Sequence, residues 1–119
     1  AKKMYLKKSV SLANLWININ GYKDYNTLHT HTHAFFSGVF YVKCPENCGN
    51  IVLHHPATFT QMYDWHGSKF DSLTRYTYGN INGKSVENKM YIFPSYLMHD
   101  VTPNLNKEEK RISIAFNLI

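Results

Sequence analysis

No run of apolar residues in this chain approaches the roughly 18 that a membrane-crossing helix needs, so no helical span is expected. The N-terminal lysines are not followed by an apolar core, which argues against a retained signal peptide. No stretch of ten or more residues carries apolar side chains at a 3.6-residue period, so helix should be scarce. Cysteine is nearly missing: Cys44 and Cys48 stand in Cys-Pro-Glu-Asn-Cys-Gly, which is not the redox CxxC spacing, and no second pair exists to close a zinc knuckle. Two free thiols in a hairpin loop, and a reducing cytoplasmic setting, are the expectation. Charged residues make up only 18% against 44% hydrophobic, the balance of a folded chain, and the 119 residues suit one domain over 1–119.

The net charge of +5 raises the question of nucleic acid. Lys2, Lys3, Lys7 and Lys8 supply four of the thirteen basic residues, leaving nine against eight acids from residue 9 onward. The positive charge is thus a basic arm over 1–8 on a nearly neutral body, and phosphate recognition needs clustered cations. The reading favours a solvated terminus over an arm that touches phosphates, and so weighs against a nucleic-acid partner, with no membrane partner expected. A homo-oligomer is left open.

What is present is strand pattern. Ser9–Asn20 alternates Leu15, Ile17 and Ile19 with Asn14, Trp16, Asn18 and Asn20, an apolar face opposite a polar, aromatic one. Gly21–Asp24 reads as a turn, Phe35–Lys43 as a strand, Pro45–Asn50 as a turn and Ile51–His55 as a short strand stopped by Pro56. Residues 57–72, with Tyr63, Trp65, His66 and Phe70, lack a period and read as a long aromatic loop that would vary with substrate. Strands are expected at Thr74–Ile81 and Lys89–Phe93, with a tight turn at Asn82–Gly83. Tyr96–Thr102 carries His99, and Arg111–Leu118 alternates to the end. Eight or so short strands imply an all-β antiparallel barrel or jelly roll.

The chemistry concentrates in His29-Thr30-His31-Thr32-His33. If residues 26–33 are extended, His29 and His31 share a face with Cα atoms about 6.5–7 Å apart, from which two imidazoles can reach one metal ion. A third ligand from a distant strand would leave part of the coordination sphere open, as chemistry at a metal requires. His33 shares that face only if the strand stays regular, and is read as lining the site, with a plain surface position the equal alternative. His54, His55 and His66 have no metal-ligand spacing and are read as structural or exposed.

Trp16-Ile17-Asn18, Asn26-x-x-His29-x-His31, Ser37-Gly38-Val39-Phe40-Tyr41, Phe93-Pro94-Ser95-Tyr96-Leu97-x-His99-x-Val101-x-Pro103-Asn104 and Arg111-Ile112-Ser113-Ile114-x-Phe116-Asn117 form an ordered set. Together they resemble the small 2-oxoglutarate- and Fe(II)-dependent oxygenases of bacteria and phages, from about Trp16 to the C-terminus. The resemblance implies a double-stranded β-helix, a jelly-roll or cupin-like barrel. It also implies Fe(II) and 2-oxoglutarate as cofactors, with O₂ and an unidentified substrate as partners. Carried over, His29 and His99 would be iron ligands and Arg111 would hold the distal carboxylate of 2-oxoglutarate, with Ser113 sharing it. A guanidinium suits that task, because its fork matches a carboxylate and it keeps its charge when buried. The wider superfamily has a carboxylate at position 31, so His31 makes a three-histidine ligand set. Asp100 is a poor substitute, since it would point away from the face that His99 uses. Tyr41 and Asn18 would reach the cosubstrate, while Trp16 and Trp65 would line the substrate side.

The reaction so implied is hydroxylation of the substrate with release of succinate and CO₂. Two alternatives stand beside it: a cupin-like three-histidine dioxygenase that does not use 2-oxoglutarate, and a non-enzymatic jelly-roll module for binding or structure. Dependence on 2-oxoglutarate separates the first alternative; the second predicts no metal dependence and no effect on ligand binding of Arg111, whose competing role is an ion pair with Glu108 or Glu109.

Overall fold

Alternating side chains and β-branched content produce eight strands and, among the described residues, no helix. The computed structural model describes residues 9–56 and 80–119. The strands are β1 (Leu12–Asn20), β2 (Asn26–His29), β3 (Phe36–Lys43), β4 (Ile51–His54), β5 (Asn80–Gly83), β6 (Met90–Pro94), β7 (His99–Val101) and β8 (Arg111–Leu118). They form two four-stranded sheets, in the orders β1-β8-β3-β6 and β2-β7-β4-β5. Every pairing is antiparallel. Apart from β4 and β5, consecutive strands alternate between the sheets, the winding of a double-stranded β-helix. The expected jelly-roll architecture is therefore what the chain adopts.

The space between the sheets is unusual in composition. Among the described residues five hydrophobic side chains are buried, Tyr41, Cys48, Ile51, Phe93 and Phe116, against eight polar or charged ones: Asn20, Ser37, Ser95, His99, Asn104, Arg111, Ser113 and Asn117. A core built for stability alone would reverse that ratio, because each buried polar group must find a partner or cost free energy. Asn104 shows how such groups are satisfied. Its amide donates to the carbonyls of Asn20 (3.0 Å) and Glu109 (3.1 Å), and its Oδ1 accepts from the Asn106 backbone (2.9 Å). It thereby clamps the end of β1 to the start of β8.

Two expectations about local structure need correction. The histidine segment is not one strand over 26–33: β2 stops at His29, and Thr32–His33 form a turn. The His31 backbone N–H donates to Ser95 O (3.0 Å) rather than into the β7 ladder, which ends the strand. Asn82–Gly83 is not a tight turn but part of β5, paired with Val52 and Ile51. A Cβ on Gly83 would lie 2.7 Å from the Ile51 methyl, so this glycine serves close approach. The turn falls instead at Glu87–Asn88, where Asn88 has φ 64°. The loop expected over residues 57–72, with Trp65, and most of the expected Thr74–Ile81 strand lie outside the described residues, as do residues 1–8.

Candidate active site

A cavity opens between the sheets and gathers residues from seven of the eight strands. Trp16, Asn18 and Asn20 come from β1, and Ser37, Val39 and Tyr41 from β3; β8 contributes Arg111, Ser113 and Ala115. The other sheet supplies Asn26, His29, Ile51, His99 and Val101, with His31 just beyond β2. All the sequence-derived candidates among the described residues reach this cavity except His33, which sits on the exposed turn. His33 is therefore corrected from lining residue to surface residue, because the strand that would have aimed it inward ends before it.

His29 and His99 face each other across β2 and β7 as a register pair, with ring centroids 4.2 Å apart. The His31 ring lies 5.0 Å from His29 and 5.2 Å from His99. One nitrogen from each ring falls within 4.8 Å of the others, a cluster that can hold a metal ion. Two of the tautomers follow from hydrogen bonds. His29 Nδ1 lies 2.6 Å from Thr27 O and His99 Nδ1 lies 2.9 Å from Leu97 O; a carbonyl only accepts, so Nδ1 carries the proton in both rings. Nε2 is left as the ligating nitrogen, the arrangement in which metal-binding histidines are ordinarily held. Burial, with the neighbouring imidazoles adding to it, lowers the His99 pKa to about 4 and lowers that of His31 as well. Both rings are thus neutral at pH 7, the form that ligates.

Arg111 opens β8 and is 1% exposed. Its Nη1 donates to Cys48 O and, at 3.4 Å, to Thr102 O, while Nη2 is buried with no partner among the described residues. Glu109 pairs with Lys43 instead (3.5 Å), so the ion pair that competed for Arg111 is not made. Desolvation lowers the Arg111 pKa, but a guanidinium starts so far above neutrality that it stays charged. Arg111 lines the cavity, and a buried cation with an unpaired donor is costly unless an anion reaches it. Gly49 makes room for this arrangement: its φ is +86°, and a Cβ there would come 2.9 Å from Arg111 Nη1 and 2.3 Å from Thr102 O.

Asn20, the register partner of Arg111, has a buried Oδ1 that is also unpartnered. Asn18, Ser113 and Tyr41 then lie side by side across β1, β8 and β3. Burial raises the Tyr41 pKa, so its hydroxyl stays protonated and able to donate. Trp16 stands 6.0 Å from the His31 ring, and Phe93 packs edge-on against His99 at 4.8 Å. Asp100 projects from the opposite side of β7 and meets His54 at 2.6 Å, as the alternation requires. The Cys44 thiol is pushed up to about 12 by burial, which removes it as a nucleophile.

Sequence reasoning missed Asn20, Asn117 and Ser95 as parts of this cavity's surroundings. Asn20 was visible as the end of the polar face of β1, but nothing in one sequence separates a lining asparagine from an exposed one.

Fold and cavity together define a double-stranded β-helix protein with a candidate histidine metal centre. A family model described as "Putative 2OG-Fe(II) oxygenase" matches residues 14–117, and the chain belongs to that family. No curated protein is significantly similar in sequence. Among solved structures, a 2OG-Fe(II) oxygenase family oxidoreductase from Burkholderia pseudomallei superposes with TM-score 0.71 at 11% identity, covering 95% of this chain and 46% of that one. A Pseudomonas putida prolyl-4-hydroxylase gives 0.57 at 13% identity, covering 87% and 50%, and a non-heme monooxygenase, ThoJ, in complex with nickel gives 0.62 at 10%, covering 92% and 44%. At these identities the likeness concerns the fold, and the chain spans half or less of each neighbour's length.

Proposed function

We propose that the chain is a 2-oxoglutarate- and Fe(II)-dependent dioxygenase in which His29, His31 and His99 hold the iron and Arg111 receives the distal carboxylate of 2-oxoglutarate. The observation that carries this reading is Arg111: a buried guanidinium, without an acidic partner among the described residues, opens onto the same cavity as three clustered imidazoles. The donor set fits both groups. Imidazole nitrogens suit Fe(II), and an unsatisfied guanidinium nitrogen suits a carboxylate. Membership of the family supports Fe(II), 2-oxoglutarate and O₂ as the reactants.

When bound, iron and 2-oxoglutarate supply O₂-dependent hydroxylation of a substrate, with 2-oxoglutarate converted to succinate and CO₂. The protein's contribution is orientation and exclusion of water. Ser113, Tyr41 and Asn18 offer hydroxyl and amide groups in the row next to the Asn20–Arg111 pair, and so would align the cosubstrate. Trp16 and Phe93 flank the imidazoles with apolar surface, which limits water around a strong oxidant. A three-histidine dioxygenase independent of 2-oxoglutarate would have no use for the Arg111 cation, which favours the first reading.

The test is an anaerobic titration with Fe(II) followed by 2-oxoglutarate, observing the visible charge-transfer band of the chelate, with Arg111→Ala in parallel. A band in the wild type that weakens in the variant is expected. Iron binding with no band would shift the reading to the 2-oxoglutarate-independent dioxygenase, and no iron binding would leave a jelly-roll module for binding or structure.

A further inference from the structure

We propose that Asn117 is the positioning residue of the histidine cluster, its side-chain amide setting which nitrogen of His31 is free to bind metal. The proposal rests on reading the cluster as a metal site. His29 and His99 need no such help, since each lies in a strand and donates Nδ1–H to a carbonyl two residues earlier. His31 lies past the end of β2, in irregular backbone, and among the described residues no carbonyl meets its ring. What faces its Nδ1 instead, at 3.4 Å, is the amide of Asn117.

That amide belongs to a buried relay. Asn117 is 1% exposed, and its other end lies 2.7 Å from Ser37 Oγ, which in turn lies 3.0 Å from Ser95 Oγ. Ser95 closes the circuit by accepting the His31 backbone N–H on its carbonyl. Three buried polar side chains aligned on one imidazole, inside a site rich in polar groups, are a costly arrangement for packing alone.

The two ends of an asparagine amide are nearly the same size, so the relay has two senses. In one, Asn117 Nδ2 donates to His31 Nδ1 and Ser37 donates to Asn117 Oδ1; the His31 proton then sits on Nε2 and blocks it. In the other, the amide is turned over, His31 Nδ1–H donates to Oδ1, Nδ2 donates to Ser37 and Ser37 donates to Ser95. The ring proton has moved from Nε2 to Nδ1, the imidazole is neutral throughout, and Nε2 offers its lone pair. Metal binding selects the second sense, so Asn117 acts through His31 without touching the metal.

The experiment is Co(II) titration of the whole chain, followed by visible absorption, with Asn117→Ala, Asn117→Asp and Ser37→Ala. Asn117→Ala is expected to weaken Co(II) binding about 10–100-fold, the cost of losing such an outer partner. Asn117→Asp can only accept, so it holds the ligating tautomer and restores wild-type affinity or exceeds it. Ser37→Ala, which loosens the amide but keeps it, is expected to fall between, and serves if Asn117→Ala fails to fold. Nitrogen-15 spectra of the Zn(II)-loaded wild type should show a slowly exchanging Nδ1–H on His31. Equal affinities for wild type, Asn117→Ala and Ser37→Ala would overturn the proposal alone, as would Asn117→Asp binding no better than Asn117→Ala, or a His31 Nδ1–H in free exchange. A wild type that binds no Co(II) would overturn the metal reading and the proposal with it.

Discussion

On one face of the β1-β8-β3-β6 sheet, Asn18, Ser113 and Tyr41 lie side by side; one residue along, on the other face, lie Ile17, Ile114 and Phe40. The polar row is turned into the cavity, and the apolar row is turned outward, with Ile17 62% exposed and Ile19 and Ile92 close behind. Ordinary globular sheets do the reverse. The inversion teaches that burial here is governed by the cavity: the side turned into it carries the donors that the proposed anion and metal would need. A contiguous apolar outer surface of this kind is what marks a packing face in proteins.

The contrast can be broken most strongly at the metal cluster. His99→Ala removes a proposed ligand outright and should lower Fe(II) or Co(II) affinity by more than the ~100-fold upper range for an outer partner, with the circular dichroism of the sheets retained. Next comes Arg111. Arg111→Ala should weaken 2-oxoglutarate binding by about 2–5 kcal/mol, measured calorimetrically on the iron-loaded protein. Arg111→Met should leave the stability of the ligand-free protein unchanged or higher, because an unpaired buried cation is replaced by an apolar chain. A large loss of stability in Arg111→Met would mean that the guanidinium serves the fold.

Acid should act on the same interior. The His99 pKa lies near 4 in the folded protein against 6.5 for a free imidazole, so between those values the unfolded chain binds more protons. The contribution is complete above about pH 6.5 and is lost as pH falls towards 4, a total of about 3 kcal/mol in the metal-free protein. Urea melts at pH 7 and pH 4 measure it, and His99→Gln should flatten the dependence. Asn104→Ala breaks the clamp between β1 and β8 and should cost about 1–3 kcal/mol, since it strips partners from buried carbonyls. The smallest effect belongs to the outer face: Ile17→Lys should change stability by no more than ~0.5 kcal/mol, leave metal affinity alone and reduce binding of an apolar dye.

Much of this was legible in one chain. The period-2 alternation of β1 assigned Trp16, Asn18 and Asn20 to one face, and the structure turns that face inward. Which of the two faces would be buried was not legible, since an apolar face opposite a polar one points the wrong way by ordinary rules. His29-x-His31 was read from strand geometry, yet the strand stops at His29 and the two rings converge because Ser95 captures the His31 backbone. His33 was lost to the same turn. Asn117, Ser37 and Ser95 stood in the motifs that carried the family resemblance, but their mutual contact joins residues 58 and 80 positions apart.

By itself, then, the order of residues determined the strands, the jelly-roll class and the types of side chain available for a metal and a carboxylate, because those depend on local alternation and on functional-group chemistry. Only the tertiary structure decided that Arg111 has no acid to pair with among the described residues, that Glu109 goes to Lys43, and that an asparagine from β8 faces the His31 ring. These are distances between strands from distant parts of the chain, and sequence spacing does not encode them.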